Sequence, residues 1–326
     1  MPTILIQGAI AASRADLARQ YAPEDWEVLV WDPGRNAPSD FPAMARQADV
    51  IVGGGIPTPW PDCPRLKLFQ IPWTGFDFTS PEKMPSGLPV ANTYEHESAM
   101  AEYVLLSMLE WQIGLRHMDA EIRAHGWNGY GPGVAPTHGE IMGKTLGIVG
   151  YGHIGFETAT RANAFGMRCI GIRRSARPCP SELDWLGQPD RLDELLSQSD
   201  FVLIACDMND ETRGMIDTAR LSAMKPDGVI INVARGKIID EEALYDALSS
   251  RTIGGAVIDT WYNYGADTWP SNKPFHELDN VLLSAHRSAV TEEMHRRRWQ
   301  FVIANCARAI NGEQPENIVF TGKGQP

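Results

Sequence analysis

The segment Gly150-Tyr151-Gly152-His153-Ile154-Gly155 follows the apolar run TLGIVG (145–150) and leads into the helical pattern FETATRANAFG. Placed between a buried strand and a helix, this spacing suits a dinucleotide pyrophosphate. Gly150 allows the tight turn, Gly152 lets the phosphates approach the backbone, and Gly155 lets helix and strand pack closely. The N–H groups of the first turn, at His153 and Ile154, then face the anion with a favourable dipole. At the end of the next strand an acid would hold a ribose 2′-hydroxyl, whereas arginine accommodates a 2′-phosphate. Here Arg173, Arg174 and Ser175 stand there with no carboxylate. Two guanidiniums and a hydroxyl suit a phosphate through charge-assisted bonds. NADP is therefore expected over NAD, with NAD still possible. The plain alternative is a pair of solvated surface arginines.

Such a cradle needs a parallel sheet to carry it. Strand-like runs alternate with helix-length amphipathic runs: TILIQG (3–8), EVLVWD (27–32), DVIVGGG (49–55) and LKLFQI (66–71), then, after residue 140, TLGIVG, MRCIGI (167–172), DFVLIA (200–205), GVIINVA (228–234), GGAVID (254–259) and NVLLSAH (280–286). This alternation predicts an α/β fold of two doubly wound parallel-sheet domains. A helix-like run is expected over 97–124, a Gly/Pro-rich loop or arm over 126–140, and a terminal helix over 291–312 that stops at Gly312.

Composition narrows the function classes. The chain has 326 residues, 43% of them hydrophobic, and a net charge of −12. That is enough for proper cores and argues against nucleic acid as a partner. No apolar run reaches membrane-spanning length. The start, MPTILIQGAI, lacks a basic region and continues into a strand pattern, so no signal peptide is expected. The five cysteines are scattered without metal-ligand spacing, which fits reduced thiols in a cytoplasmic protein and no metal site.

Further motifs resemble one family. SAMKPDGVIINVARGKIIDEEALYDAL (222–248) is similar to the central signature of the D-isomer-specific 2-hydroxyacid dehydrogenases. GGAVIDTW, PFHELDNVLLSAH, LFQIPWTGFDF (68–78) and AEYVLLSML match its other segments in order. The resemblance covers nearly the whole chain. It implies a Rossmann-type cofactor domain (99–290, with a dimerisation arm near 100–140) inserted in a flavodoxin-like substrate domain (1–98 plus 291–326). It also implies a homodimer, an active site in the cleft between the domains, and a small anionic 2-keto acid or 2-hydroxy acid as substrate.

The resemblance places Arg235 at the catalytic arginine and His286 at the catalytic histidine. Asp259 falls at the aspartate that accepts from the nicotinamide amide. The resemblance also implies that Ala205, Thr212 and Ala234 line the cofactor and that Trp73, Thr74 and Gly75 form the substrate loop. Keto acid reduction needs a carboxylate anchor, a polariser of the ketone oxygen and a proton donor. The planar fork of Arg235 can supply the first two, helped by backbone N–H groups near Thr74 and Gly75. His286, with an ordinary pKa near neutrality, can supply the third.

The chain departs from the family at Tyr264, in IDTWYNYGADTW, where relatives place a Glu that contacts the histidine. A phenol can orient the imidazole but carries no charge at neutral pH, so the histidine pKa is expected to fall. The alternatives are Asp267 or Glu277 as a displaced acid, no partner at all, or simple aromatic packing of Tyr264 with Trp261, Tyr262 and Trp269. Arg287 replaces a usually apolar residue and either favours a second anionic group or faces solvent. Two other functions stay open: a dehydrogenase for a doubly anionic or phosphonate-type substrate, and a catalytically inactive cofactor-sensing protein.

Overall fold

The computed structural model describes residues 1–55, 59–127, 134–265 and 269–324. They form two units, Met1–His96 with Thr291–Pro326, and Glu97–Val290. Each is an α/β unit on its own parallel sheet, as the apolar runs predict.

In the first unit the strands are β1 (Thr3–Gln7), β2 (Glu27–Trp31), β3 (Val50–Gly53), β4 (Leu68–Gln70) and β5 (Pro89–Ala91). They lie parallel in the order β2-β1-β3-β4-β5, the flavodoxin-like arrangement. Ile318–Thr321 adds an antiparallel edge strand beside β5. The terminal helix Glu292–Asn311 starts where the Thr291 hydroxyl accepts from the Met294 N–H at 3.0 Å, and ends at Gly312 with φ +78°. Its inner face (Trp299, Val302, Ile303, Cys306, Ala309) packs with Ile4, Ile6, Val50, Val52 and Leu68. Chain ends distant in sequence thus share one core.

The second unit holds β6 (Thr145–Val149), β7 (Arg168–Ile172), β8 (Trp185–Gly187), β9 (Phe201–Ile204), β10 (Val229–Asn232), β11 (Gly255–Ile258) and β12 (Val281–Leu283). All are parallel, in the order β12-β11-β10-β9-β6-β7-β8. The order reverses between β6 and β9, the Rossmann switch point, where ligands sit beyond the carboxyl ends of strands. Both faces of this sheet are buried. Val149, Val202, Ile204, Ile230 and Ile258 pack into one core, while Leu146, Ile148, Leu203, Ile231 and Val257 pack into the other. Burial on two sides explains why these strands read as unbroken apolar runs.

The helix-like run 97–124 is two helices, Glu97–Ile113 and Leu115–His125, separated by Gly114 with φ +70°. A left-handed glycine ends the first helix, although the apolar pattern continues past it. The first helix buries Met100, Val104, Leu105 and Met108 in the sheet core; the second buries no residue. The expected arm falls partly on residues 128–133, outside the described residues. Among the described residues no helix is long and apolar enough to cross a membrane, and no cluster of His, Cys, Asp and Glu could hold a metal ion.

Candidate active site

The glycine loop leaves β6 at the switch point. Gly150 has φ +100°, and a Cβ there would lie 2.5 Å from the Cys206 backbone nitrogen at the end of β9. Only glycine permits this conformation and this approach. Gly155 faces Ile148 and Tyr151, where a Cβ would sit 3.0 and 3.2 Å from their side chains, so the helix His153–Ala164 lies close on the sheet. At Gly152 a Cβ would meet nothing within 4 Å. The three glycines therefore differ: Gly150 is required by its backbone, Gly155 sits in a close contact, and Gly152 faces open space at a helix N-terminus. Among the described residues, nothing accepts from the N–H groups of Ile154 and Gly155. A diphosphate fits these donors.

Beyond β7, the Arg173 N–H donates to Gly187 O at 3.0 Å, which fixes the start of the segment. The Arg173 Nε is buried without a hydrogen-bond partner. Burial, with the positive charge of Arg177 added, lowers the pKa of the Arg173 guanidinium. Arg174 and Ser175 are exposed. A half-exposed arginine with its Nε buried and unpaired, beside further cations, suits an anion. Arg177, two residues past Ser175, joins the expected Arg173, Arg174 and Ser175 without a motif to announce it. Ala205 and Thr212 sit at and beyond β9. The Ala205 N–H is tied to Val149 O at 2.9 Å, and the Thr212 hydroxyl donates to Asp207 O at 2.7 Å, shaping the turn between them.

At the end of β10, Asn232 does what no sequence motif announced. It is buried; its Nδ2 donates to Arg235 O at 3.0 Å and its Oδ1 accepts from the Ala234 N–H at 3.1 Å. This closes the turn that presents Arg235, which is half-buried. A Cβ on Gly236 would overlap the carbonyl of Trp261, so glycine is needed to bring this turn against the segment that carries Tyr264.

His286 follows β12 with φ +53°, an uncommon conformation for a non-glycine residue. Its N–H donates to Asp259 O at 2.8 Å. The Asp259 side chain is fully buried. Its Oδ1 accepts from Ser284 Oγ at 2.5 Å and the Arg287 N–H at 2.8 Å; its Oδ2 accepts from Ser288 Oγ at 2.5 Å and the Ser288 N–H at 3.1 Å. A carboxylate offers about four acceptor positions. Protein donors fill them here, so the structure shows Asp259 holding the histidine turn, a task separate from the nicotinamide contact expected of it. The pattern Ser-Ala-His-Arg-Ser was visible in the sequence, but nothing there said that both hydroxyls turn onto one carboxylate.

Tyr264 lies beside the imidazole, with ring centroids 5.5 Å apart and planes tilted by 54°. Its hydroxyl accepts from the Trp261 N–H at 2.9 Å. Among the described residues no hydrogen bond reaches the His286 ring, so Tyr264 contributes a ring face and not the hydrogen bond expected of an orienting phenol. Asp267 lies outside the described residues. Crowding of the imidazole by its neighbours lowers the His286 pKa below 6.5; the Asp259 charge opposes this and Arg235 adds to it. Burial of its hydroxyl end raises the Tyr264 pKa, with the Trp261 N–H and Arg235 working the other way. Arg235, Asp259, Tyr264 and His286 thus stand within electrostatic reach of one another at the ends of β10, β11 and β12.

In the first unit, the loop after β4 is braced from below. Thr74 Oγ1 donates to Thr93 O at 2.9 Å, and Asn92 Nδ2 donates to Thr74 O at 2.8 Å. Under these, Gln70 Nε2 donates to Thr93 Oγ1 at 3.0 Å and Asn305 Nδ2 donates to Gln70 Oε1 at 2.7 Å. Among the described residues, the N–H groups of Thr74 and Gly75 have no acceptor. Trp73 packs near Phe78 at 6.3 Å between centroids.

Residues 105–288 match the model of the D-isomer specific 2-hydroxyacid dehydrogenase NAD binding domain. Over 332 residues the chain is 30% identical to a glyoxylate reductase of Thermococcus gammatolerans, covering 98% of this chain and 96% of that protein. A glyoxylate reductase of Thermococcus onnurineus is 34% identical over 268 residues, covering 78% and 77%. The structure resembles that of a D-isomer specific 2-hydroxyacid dehydrogenase family protein from Aeromonas salmonicida, with a TM-score of 0.82 at 22% identity, covering 98% and 99%. It also resembles an NADPH-dependent glyoxylate/hydroxypyruvate reductase from Sinorhizobium meliloti solved with NADP and sulfate, with a TM-score of 0.79 at 22% identity, covering 98% of each chain. At that identity the two structures speak for the fold.

The surroundings of His286 make a prediction that needs no substrate. In an NMR titration of the labelled imidazole, Tyr264→Glu should raise the His286 midpoint by about one unit or more, because a carboxylate favours the imidazolium. An unmoved midpoint would show that position 264 does not face the ring.

Proposed function

We propose, on the premise that this chain belongs to the D-isomer specific 2-hydroxyacid dehydrogenase family, that it reduces a small 2-keto acid to the D-2-hydroxy acid with NADPH. Family membership makes it an NAD(P)-dependent oxidoreductase. The observation that carries the finer reading is the grouping of Arg235 and His286 at the carboxyl edge of a Rossmann sheet whose glycine loop faces open space. The glyoxylate reductases among its relatives suggest glyoxylate and hydroxypyruvate as first substrates.

In this reading, Gly150, Gly152, His153, Ile154 and Gly155 hold the pyrophosphate, and Arg173, Arg174 and Ser175 take the 2′-phosphate. The bound cofactor supplies the hydride. Arg235 pairs with the substrate carboxylate and draws charge from the ketone oxygen. His286, protonated, gives its proton to the oxygen that becomes the hydroxyl. In the first unit, the Thr74 and Gly75 N–H groups are the proposed backbone donors to a carboxylate. Arg287 supports a second reading, a doubly anionic substrate, because its exposed guanidinium pairs with no carboxylate among the described residues. Faster turnover of a keto acid bearing a second carboxylate or a phosphonate would favour that reading.

Replacing His286 by Ala should lower kcat about 100-fold or more, with NADPH affinity retained. In the wild type, kcat/KM for reduction should decline as pH rises through a midpoint below 6.5, because the proton donor is lost as the imidazole deprotonates. A rate that is flat with pH, or unchanged in the variant, would remove His286 from the mechanism. The double variant Arg173→Ala/Arg174→Ala should raise KM for NADPH about tenfold or more while leaving KM for NADH nearly unchanged; equal effects on both cofactors would refute the phosphate role.

A homodimer is also proposed. Helix Leu115–His125 exposes Leu115, Met118 and Ile122 along one face, at 63%, 36% and 46% accessibility. Light scattering should give twice the chain mass, and Met118→Glu/Ile122→Glu should yield monomers. A wild type of single-chain mass would refute it.

A further inference from the structure

We propose that Ser284 and Ser288 are positioning residues for His286, acting through the buried carboxylate of Asp259; the inference rests on the reading of His286 as proton donor. The argument begins with the backbone. A left-handed conformation is unfavourable for a non-glycine residue, so its surroundings must hold His286 in place. Here the hold comes from both sides of the histidine. Ser284, two residues before it, and Arg287 and Ser288, after it, all donate to the Asp259 carboxylate, while the His286 N–H itself donates to Asp259 O.

Asp259 is anchored in turn, since its N–H donates to Asn232 O at 3.2 Å. The bracket also extends outward. Tyr103 of helix Glu97–Ile113 shares a hydrogen bond of 2.7 Å with Ser284 Oγ, and Trp261 Nε1 donates to Ser284 O at 2.7 Å. The same serine thus touches the helix, the carboxylate and the segment leading to Tyr264.

Nothing described holds the far end of the imidazole by a hydrogen bond, and Tyr264 meets it only as a ring face. Among the described residues, the ties on its direction lie where it joins the backbone, and that is where the two hydroxyls act. Each fills one acceptor position of a carboxylate that water cannot reach. Without either hydroxyl, the carboxylate lacks a donor and the 284–288 turn loses one of its ties. A small tilt of the ring is enough to slow a proton transfer, because the reacting atoms must meet at hydrogen-bond distance.

The test is a double-mutant cycle. Ser288→Ala and Ser284→Ala are each made in the wild type and in His286→Ala, and single-turnover NADPH oxidation by glyoxylate is followed. In the wild-type background each change should slow the rate about tenfold, with KM for glyoxylate and affinity for NADPH within about twofold. Ser288→Thr, which keeps the hydroxyl, should recover most of the rate. In the His286→Ala background the serine changes should have no further effect beyond about twofold, because they act through the missing ring. Equal losses in both backgrounds overturn the inference, as does a wild-type-background rate that stays within about twofold. An unchanged rate in His286→Ala alone traces the failure to the donor reading instead. If Ser288→Ala does not fold, Ser284→Ala carries the same comparison.

Discussion

A carboxylate buried with no access to water is tolerated only when every acceptor position finds a donor. Asp259 meets that condition by drawing the 284–288 segment around itself. Much of the site follows from this. The wrapped segment carries His286 in a left-handed conformation, tied on both sides to the same carboxylate. Asn232, one strand over, is the other polar node: its side chain closes the Arg235 turn, and its carbonyl accepts from the Asp259 N–H. The candidate anchor and the candidate proton donor are thereby referred to the same pair of strand ends. Parallel strands that finish at a common edge make such a linkage short, which is why so few residues suffice.

The cofactor end works by a different rule. There the structure leaves donors unused: the first-turn N–H groups of Ile154 and Gly155, the open face of Gly152, and the orphaned Nε of Arg173. The chain as a whole is acidic, with a net charge of −12, so a local group of arginines stands out against the background field. Saturated acceptors under the histidine and unused donors around the glycine loop set the two parts of the candidate site apart.

Much of this could be read from the chain. Both sheets were legible because strands buried on two faces, such as Thr145–Val149 and Val229–Asn232, cannot be written without continuous apolar residues. The glycine motif was legible because its spacing falls between an apolar strand and a helix, and Gly150 meets a backbone demand that no other residue satisfies. Short strands such as Trp185–Gly187, half-buried and only three residues long, gave too little pattern. Gly114 was hidden inside a helical pattern, since periodicity counts apolar residues and is blind to one positive φ. Ser284, Ser288, Asn232 and Arg177 were illegible for a further reason. Their roles depend on which distant group each meets, and hydroxyls and amides occur everywhere in sequences. Tyr264 shows the same limit: its departure from the family pattern was plain, but its attachment to the Trp261 N–H was not.

The most direct measurement of the central claim is the product itself. Purified protein is given hydroxypyruvate with NADPH, and in parallel with NADH, and both oxidised cofactor and the configuration of the glycerate formed are determined. The account predicts one equivalent of D-glycerate for each NADPH oxidised, and a slower reaction with NADH. NADPH bound tightly with no turnover of hydroxypyruvate, glyoxylate or doubly anionic keto acids, or glycerate of the opposite configuration, would contradict it.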